Sequence, residues 1–367
     1  MDVADGVARW SHTYYRRPED IFALQDEIAA SVEAALNPGV SPPGAPDRFH
    51  NPTENFQAYD QYLMGRKFWL EDNHEALPHA RDAYLKATVL DPSFADAFAA
   101  LAMTEMFIAD IMRSDAARER TFADALGHAE RAIKLGPDRA EGYIARGLIR
   151  FTRYWDWAGA DSDFSRALAL DPSNVDAMLR KGTVLEAMGR AGEALGLARR
   201  LTELDPRNQG AWGFLGRLLL DDRQLDAAAV ALQRAAELNP TSDVNQFNLA
   251  MVALLQGNPD QALQHLQACS EVYRLTGTAQ AEHTRGNEQA SREALNRLTA
   301  TYSIGWAYQI AMVHAWRGES DETFAWLERA LIQRDAGLLA VNIDASMDSV
   351  RDDPRFAGIL KRVGLPR

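Results

Sequence analysis

The sequence predicts an all-α solenoid of about seven helix pairs that follows a short amino-terminal extension. A short phrase, Leu followed by Asp, Asn or Gly and then Pro, closes five helix-forming segments, at Pro92, Pro137, Pro172, Pro206 and Pro240. Successive prolines lie 45, 35, 34 and 34 residues apart. Because proline cannot donate the next helical hydrogen bond and disfavours helix at the residue before it, each phrase predicts the end of a helix pair.

The unit 209–240 shows the pattern within one period. Small and apolar residues recur at helical spacing on a first and then a second helix, at Trp212, Leu215, Gly216, Leu219, Ala228, Leu232 and Ala235. Gly216 and Ala228 are small, which predicts that the paired helices approach closely there. This pattern resembles the consensus of tetratricopeptide repeats, whose period is about 34 residues. The resemblance implies a superhelical solenoid and a non-catalytic role in binding other proteins.

The repeat spacing divides the chain into five parts. Residues 54–269 are expected to form repeat units 1 to 6, and residues 301–367 a seventh pair with a carboxy-terminal cap. Between them, the polar stretch 270–300 is interpreted as an insertion, with a loop near Thr276 to Glu288 and a helix from Gln289 to Ala300. Prolines crowd residues 37–53, which predicts an extended linker after a short amino-terminal unit at residues 1–36.

Both ends of the chain carry a second resemblance. Trp10-Ser11, Tyr14, Arg16 and residues 20–28 resemble the end of a TolB-like domain, which precedes tetratricopeptide repeats in bacterial regulators with adenylate-cyclase or CadC-type winged-helix modules. Residues 154–157 and the tail 344–366 are also similar to that group, so the resemblance covers nearly the whole chain. It implies an alternative function, as the sensory or regulatory portion of a multidomain regulator whose effector module lies upstream.

Composition narrows the classes of partner. A net charge of −13 disfavours a nucleic-acid ligand, because phosphate binding depends on clustered Lys and Arg. No apolar run approaches the roughly 20 residues that span a bilayer, and the amino terminus lacks the pattern of a signal peptide. Cys269 is the only cysteine, which excludes an internal disulfide. We therefore expect a cytoplasmic chain that contacts neither membrane nor nucleic acid.

No catalytic, cofactor-binding or metal-binding constellation is predicted. Pro78 interrupts the spacing of His74 and His79, so the two imidazoles would not share one helix face. A glycine-rich phosphate loop and the Gly-x-Ser-x-Gly phrase of serine hydrolases are both absent. We expect a protein that is not an enzyme and carries no cofactor.

The first helices of stacked pairs line an extended groove in such solenoids, and this is where they commonly bind. The register predicts fourteen partner-binding residues, most of them apolar: Met103, Met106, Phe107, Ile144, Leu148, Phe151, Leu179, Arg217, Leu220, Phe247, Met251, Tyr308, Met312 and Trp316.

Two interpretations of this apolar set stay open. The residues bind a helix or extended peptide of a partner protein, with Met supplying adaptable contacts, or the chain's own flanks cover them. A candidate cover is the predicted helix from Pro18 to Leu36, whose apolar residues share one face, at Ile21, Leu24, Ile28, Val32 and Leu36. The sequence leaves the oligomeric state undetermined.

Overall fold

The computed structural model describes residues 52–71, 75–112 and 115–366, together with residues 28 and 31. Within these ranges the regular secondary structure is entirely helical, which confirms the all-α prediction. Apart from residues 28 and 31, the predicted amino-terminal unit lies outside the described residues, as does most of the linker. The chain divides into two compact units, unit 1 at residues 1–137 and unit 2 at residues 138–367.

Unit 1 contains two antiparallel helix pairs that pack on one another. Pair 1 is α1 (Phe56–Trp69) and α2 (Leu77–Leu90), and pair 2 is α3 (Ala95–Ile111) and α4 (Asp115–Leu135). The ring of Tyr62 lies 5.0 Å from that of Phe94, which joins the first helix of pair 1 to the start of pair 2.

Unit 2 contains six further pairs, each again a first helix followed by a second. They are α5 (Ala140–Ile149, extended by a π-helical turn, Arg150–Tyr154) with α6 (Trp157–Leu170), α7 (Val175–Ala187) with α8 (Ala191–Leu204), α9 (Gln209–Asp221) with α10 (Leu225–Leu238), α11 (Asp243–Leu255) with α12 (Pro259–Leu266), α13 (Glu271–Thr284) with α14 (Glu288–Tyr302), and α15 (Ala307–Trp316) with α16 (Ser320–Gln333). We number these pairs 3 to 8. Two 3-10 turns, Ala336–Ala340 and Ala345–Val350, and α17 (Pro354–Val363) follow pair 8.

The closing phrases end one helix and start the next. Asp171 accepts a hydrogen bond from the backbone N–H of Ser173 at 3.1 Å, which shapes the turn around Pro172. Asn174 then caps α7, because its side chain accepts from the backbone N–H of Ala177 at 2.9 Å. Similar caps by Asn55, Asn208 and Ser242 begin the first helices of pairs 1, 5 and 6.

The small residues of the repeat lie where helices approach closely. A Cβ placed on Gly216 would lie 2.5 Å from Cγ of Leu232 on the paired helix, as the repeat pattern predicts. At Gly182 the close neighbour is not on the paired helix. A Cβ placed on Gly182 would meet the ring of Phe214 from pair 5. The position on its own pair that corresponds to Leu232 carries the small residue Ala198.

Gly216→Ala is expected to destabilise the protein by about 1–3 kcal/mol, because the added methyl group overpacks the contact with Leu232. Gly196→Ala is the matched control, since Gly196 is exposed in the middle of α8 and a Cβ there meets nothing within 4 Å. The control should raise the free energy of unfolding by about 0.5–1 kcal/mol. Urea denaturation measures both changes, and an equal response at the two glycines would contradict the close-approach explanation.

The loop predicted near Thr276 to Glu288 is wrong. Residues 271–284 form α13, and the following helix, predicted from Gln289 to Ala300, is confirmed as α14. The two helices pack as pair 7 around a buried apolar set, Val272, Leu275, Ala279, Leu295 and Leu298. The described residues therefore hold eight helix pairs, one more than the seven expected.

Candidate protein-binding surface

Residues 335–366, here called the carboxy-terminal segment, fold back along unit 2. Asp335, Asp344 and Asp353 stand nine residues apart, and each opens a turn or helix by accepting from the backbone N–H two residues later, at 2.8–2.9 Å. The three aspartates thus cap, in order, the first 3-10 turn, the second 3-10 turn and α17. The segment is thus a partly helical peptide with a defined path.

The helix α17 packs on the second helix of pair 8. The guanidinium of Arg355 lies 4.2 Å from the ring centre of Phe324 and donates to Asp321 at 2.8 Å. Phe356, Ile359, Leu360 and Val363 are buried on its inward face. This helix covers the last pair of the array.

Beyond pair 8, the carboxy-terminal segment and the end of α16 reach pair 3. The indole Nε1 of Trp157, at the start of α6, donates to the backbone carbonyl of Val363 at 2.9 Å. Arg334, which ends α16, donates to the carbonyl of Arg153 at 2.7 Å. These hydrogen bonds join residues that are 206 and 181 positions apart in the chain.

The second 3-10 turn of the segment and its cap, Asp344, contact pairs 5, 7 and 8. Tyr308 donates its hydroxyl to Asp344 at 2.9 Å, Gln280 donates to Ser346 at 3.0 Å, and Ser349 donates to the carbonyl of Ala315 at 2.6 Å. Arg223, in the turn after α9, forms an ion pair with Asp348. We call the residues of unit 2 that contact the segment in these ways the inner surface.

A buried charge cluster lies beside this contact. Arg217 Nη1 lies 2.5 Å from Glu186 Oε2 and 3.5 Å from Asp221 Oδ2, and the Glu186 side chain is only 2% exposed. Burial, the charge of Glu186 and a hydrogen bond to Glu186 raise the pKa of Asp221 well above its usual range, and Asp344 adds to the shift. Burial also raises the pKa of Asp344. One guanidinium therefore lies between carboxyl groups on two first helices.

The fourteen predicted groove residues fall into two groups by their exposure to solvent. Five are partly exposed: Met103, Phe107, Leu179, Arg217 and Trp316. Nine are buried: Met106, Ile144, Leu148, Phe151, Leu220, Phe247, Met251, Tyr308 and Met312. The binding of a partner by these fourteen residues stays a prediction.

Neighbouring helices and the segment account for much of this burial. Phe247 packs on Tyr273 of pair 7 with ring centres 5.4 Å apart, and Phe151 meets the edge of Trp157 at 5.4 Å. Tyr308 lies against Gly337 of the carboxy-terminal segment, where a Cβ would approach its ring within 2.5 Å. Among the fourteen residues, Tyr308 contacts the carboxy-terminal segment, and both alternatives weighed from the sequence stay predictions.

Sequence reasoning expected a carboxy-terminal cap but missed that the carboxy-terminal segment also contacts pairs 3, 5 and 7. A signal was present in the nine-residue spacing of Asp335, Asp344 and Asp353 and in the amphipathic helix that follows. The sequence did not indicate that this helix would contact pair 3. Its contact with Trp157 joins residues 206 positions apart.

No helix within the described residues is both long enough and apolar enough to cross a bilayer. Across the same ranges, no three His, Cys, Asp or Glu side chains are grouped so that they could hold a metal ion.

The family model for tetratricopeptide repeats matches residues 156–208 and 179–243. Over 142 residues the chain is 28% identical to BBSome complex member bbs-4 of Caenorhabditis elegans, a match covering 39% of this chain and 30% of that protein. Over 149 residues it is 29% identical to a Rhizobium meliloti protein named Putative adenylate cyclase 3, covering 40% of this chain and 25% of the relative. The chain thus matches less than a third of the length of either relative.

Among solved structures, yeast Tom70 superposes with a TM-score of 0.51 at 17% sequence identity. The superposition covers 94% of this chain and 75% of Tom70. At this identity the likeness concerns the fold alone. Together with the matched repeats, it identifies the architecture as a tetratricopeptide-repeat solenoid, in agreement with the sequence prediction.

Proposed function

We propose that this tetratricopeptide-repeat protein is a non-catalytic scaffold that binds a helix or peptide of a partner protein on the inner surface of unit 2. The partner competes there with the carboxy-terminal segment. The observation that carries the proposal is the segment itself, a partly helical peptide held by side chains of pairs 3, 5, 7 and 8. A surface that holds one peptide of this kind has the groups needed to hold another.

The contacts of the segment define the chemistry of a competing partner. Met347 and Val350 are fully buried, so the partner would supply apolar side chains at a spacing of one helical turn. Tyr308 and Arg223 hold Asp344 and Asp348, so it would also carry carboxylates near those anchors. Trp157 contacts a backbone carbonyl, which any peptide offers. We therefore infer a short, acidic, amphipathic segment as the ligand, bound in a cytoplasmic setting.

Met347→Asp is expected to loosen the tethered segment, because a carboxylate at this buried position lacks a partner. A fluorescent peptide of residues 335–366 should then bind the variant roughly tenfold or more tightly than it binds the unaltered protein, since the inner surface is open for a larger fraction of the time. Fluorescence anisotropy measures the two dissociation constants.

Lys361→Asp is the matched control, because it places the same residue at an exposed position of the same segment. The control should bind the peptide as weakly as the unaltered protein. A labelled peptide that itself carries Met347→Asp should bind none of them. Failure of the unaltered peptide to bind a Met347→Asp protein that keeps its helical circular dichroism would exclude the inner surface as a peptide site.

A second candidate function has one specific observation in its favour. The match to the Rhizobium cyclase relative agrees with the resemblance to bacterial regulators noted at both ends of the chain. In this alternative, unit 2 passes a signal to an effector module elsewhere in a longer protein. Mapping the full transcript tests it, because an in-frame cyclase or winged-helix module would support the regulatory role and an isolated reading frame would exclude it.

A further inference from the structure

The outward side of pair 1, here called the outer face, is apolar and exposed. Phe56, Leu85, Val89 and Leu90 line an open cleft of about 620 Å³ together with Lys86. Val89 is 72% exposed, and at the other end of the face Leu70 is 75% exposed. Contiguous apolar surface of this kind on a soluble protein marks a contact site.

The two ends of the described array differ in how they are covered. Pair 8 is covered by α17, whose apolar side is buried. No described helix packs against the outer face of pair 1. Repeat arrays need a covering element with a polar outer side at each end, because every internal pair has two apolar faces. Among the described residues, pair 1 therefore lacks such a covering element.

We propose that residues 18–36 of this chain bind the outer face of pair 1 as an amphipathic helix. Within this segment, Ile21, Leu24, Ile28 and Val32 follow helical spacing and provide the apolar side. Residue 28 lies in helical backbone. The apolar stripe of the segment matches the apolar composition of the outer face.

Charge supports the same pairing. The segment 18–36 contains five carboxylates and neither Lys nor Arg. The clefts of the outer face carry three cations, Lys86, Arg66 and Lys67, against the two carboxylates Asp60 and Glu71. An acidic helix is thus attracted to a face with a small excess of positive charge.

The linker at residues 37–53 is long enough for residues 18–36 to reach the outer face of pair 1 in the same molecule. Linker 37–53 ends close to Phe56, which itself lines the cleft. In an extended, proline-rich conformation this linker spans at most about 50 Å, and a helix of the segment's length is about 28 Å long. The segment is therefore held near the face at an effective concentration on the order of millimolar.

The test is disulfide trapping in the full chain carrying Ile28→Cys and Val89→Cys. The native Cys269 does not compete, because it is buried and burial raises the pKa of its thiol to about 11. The matched control carries Ile28→Cys with Val230→Cys, since Val230 is 70% exposed on α10 in unit 2. With oxidised glutathione, the first variant should form an intramolecular disulfide roughly tenfold faster than the control, at a rate independent of protein concentration.

A charge change checks the electrostatic part of the proposal. Adding Lys86→Glu to the first variant should slow trapping several-fold at low salt and less at high salt, because screening weakens the attraction. A second cysteine pair, Val32→Cys with Leu85→Cys, repeats the experiment should either first position perturb folding. Equal rates in the test and control pairs would overturn the proposal, and so would a cross-linked dimer, which would make a second copy the occupant.

Discussion

Arg217→Ala is expected to lower the free energy of unfolding of unit 2 by about 3–5 kcal/mol, because it leaves Glu186 as a buried charge without its cation. The guanidinium lies 2.5 Å from the Glu186 carboxylate, whose side chain is 2% exposed. Loss of the stacking of Arg217 on Phe214, at 5.4 Å, adds to the effect. Urea denaturation followed by circular dichroism measures the change.

Two controls separate this explanation from simple loss of packing. Arg200→Ala removes an exposed guanidinium whose contact is a single carbonyl, that of Pro172, and should cost less than about 0.5 kcal/mol. Adding Glu186→Gln to Arg217→Ala should recover part of the loss, since the neutral amide no longer needs a cation. If the double variant were as unstable as the sum of the two single variants, the ion pair would not be the cause.

Trp157→Ala is expected to destabilise unit 2 by about 3–5 kcal/mol and to expose the carboxy-terminal segment to protease. The indole is buried, packs on Phe151 and is the hydrogen-bond donor to the carbonyl of Val363. Removing it opens a cavity and leaves that carbonyl without its donor. Limited proteolysis with mass spectrometry should show early cleavage within residues 335–366.

The matched control is Trp212→Ala. Its indole also donates to a backbone carbonyl, that of Pro206 at 3.0 Å, but the bond is local and near the surface. This variant should leave the carboxy-terminal segment protected. Protection that survives Trp157→Ala would mean that the segment is held by pairs 5, 7 and 8 alone.

Most of the architecture was predictable because its signals are local. A proline every 34 residues, a capping Asn or Ser after it and small residues at fixed positions each act within one helix pair. The close approach at Gly216 follows from this register. At Gly182 the register alone is insufficient, since the space is filled by Phe214 of the following pair.

The stretch 270–300 shows where composition misled. Its polar residues suggested a loop, although many of them lie on the solvent side of α13 and α14 and three, Thr276, Gln280 and Ser291, are buried. Leu275, Ala279, Leu295 and Leu298 carry the helical spacing that decides the structure. Periodicity of a few buried positions was the better guide, because burial depends on which face is apolar and not on the average polarity.

The candidate site was predictable only in part, because its cover comes from far along the chain. The apolar first-helix residues were found by register, among them Phe151 and Tyr308. Nothing local to them indicated that residues 335–366 would lie against the same surface. A contact such as that of Tyr308 with Asp344 depends on how several pairs stack, and this curvature accumulates from small rotations that single residues do not reveal.

The hydrogen bond between Trp157 and Val363 also bears on how unit 2 loses its structure. A chain of repeats in which each pair touches only its neighbours can fray from its ends, one pair at a time. Here the last helix is fastened to pair 3, so pair 8 cannot separate without breaking contacts five pairs away. We therefore expect the pairs of unit 2 to unfold together in one cooperative transition, and not one pair at a time from the end.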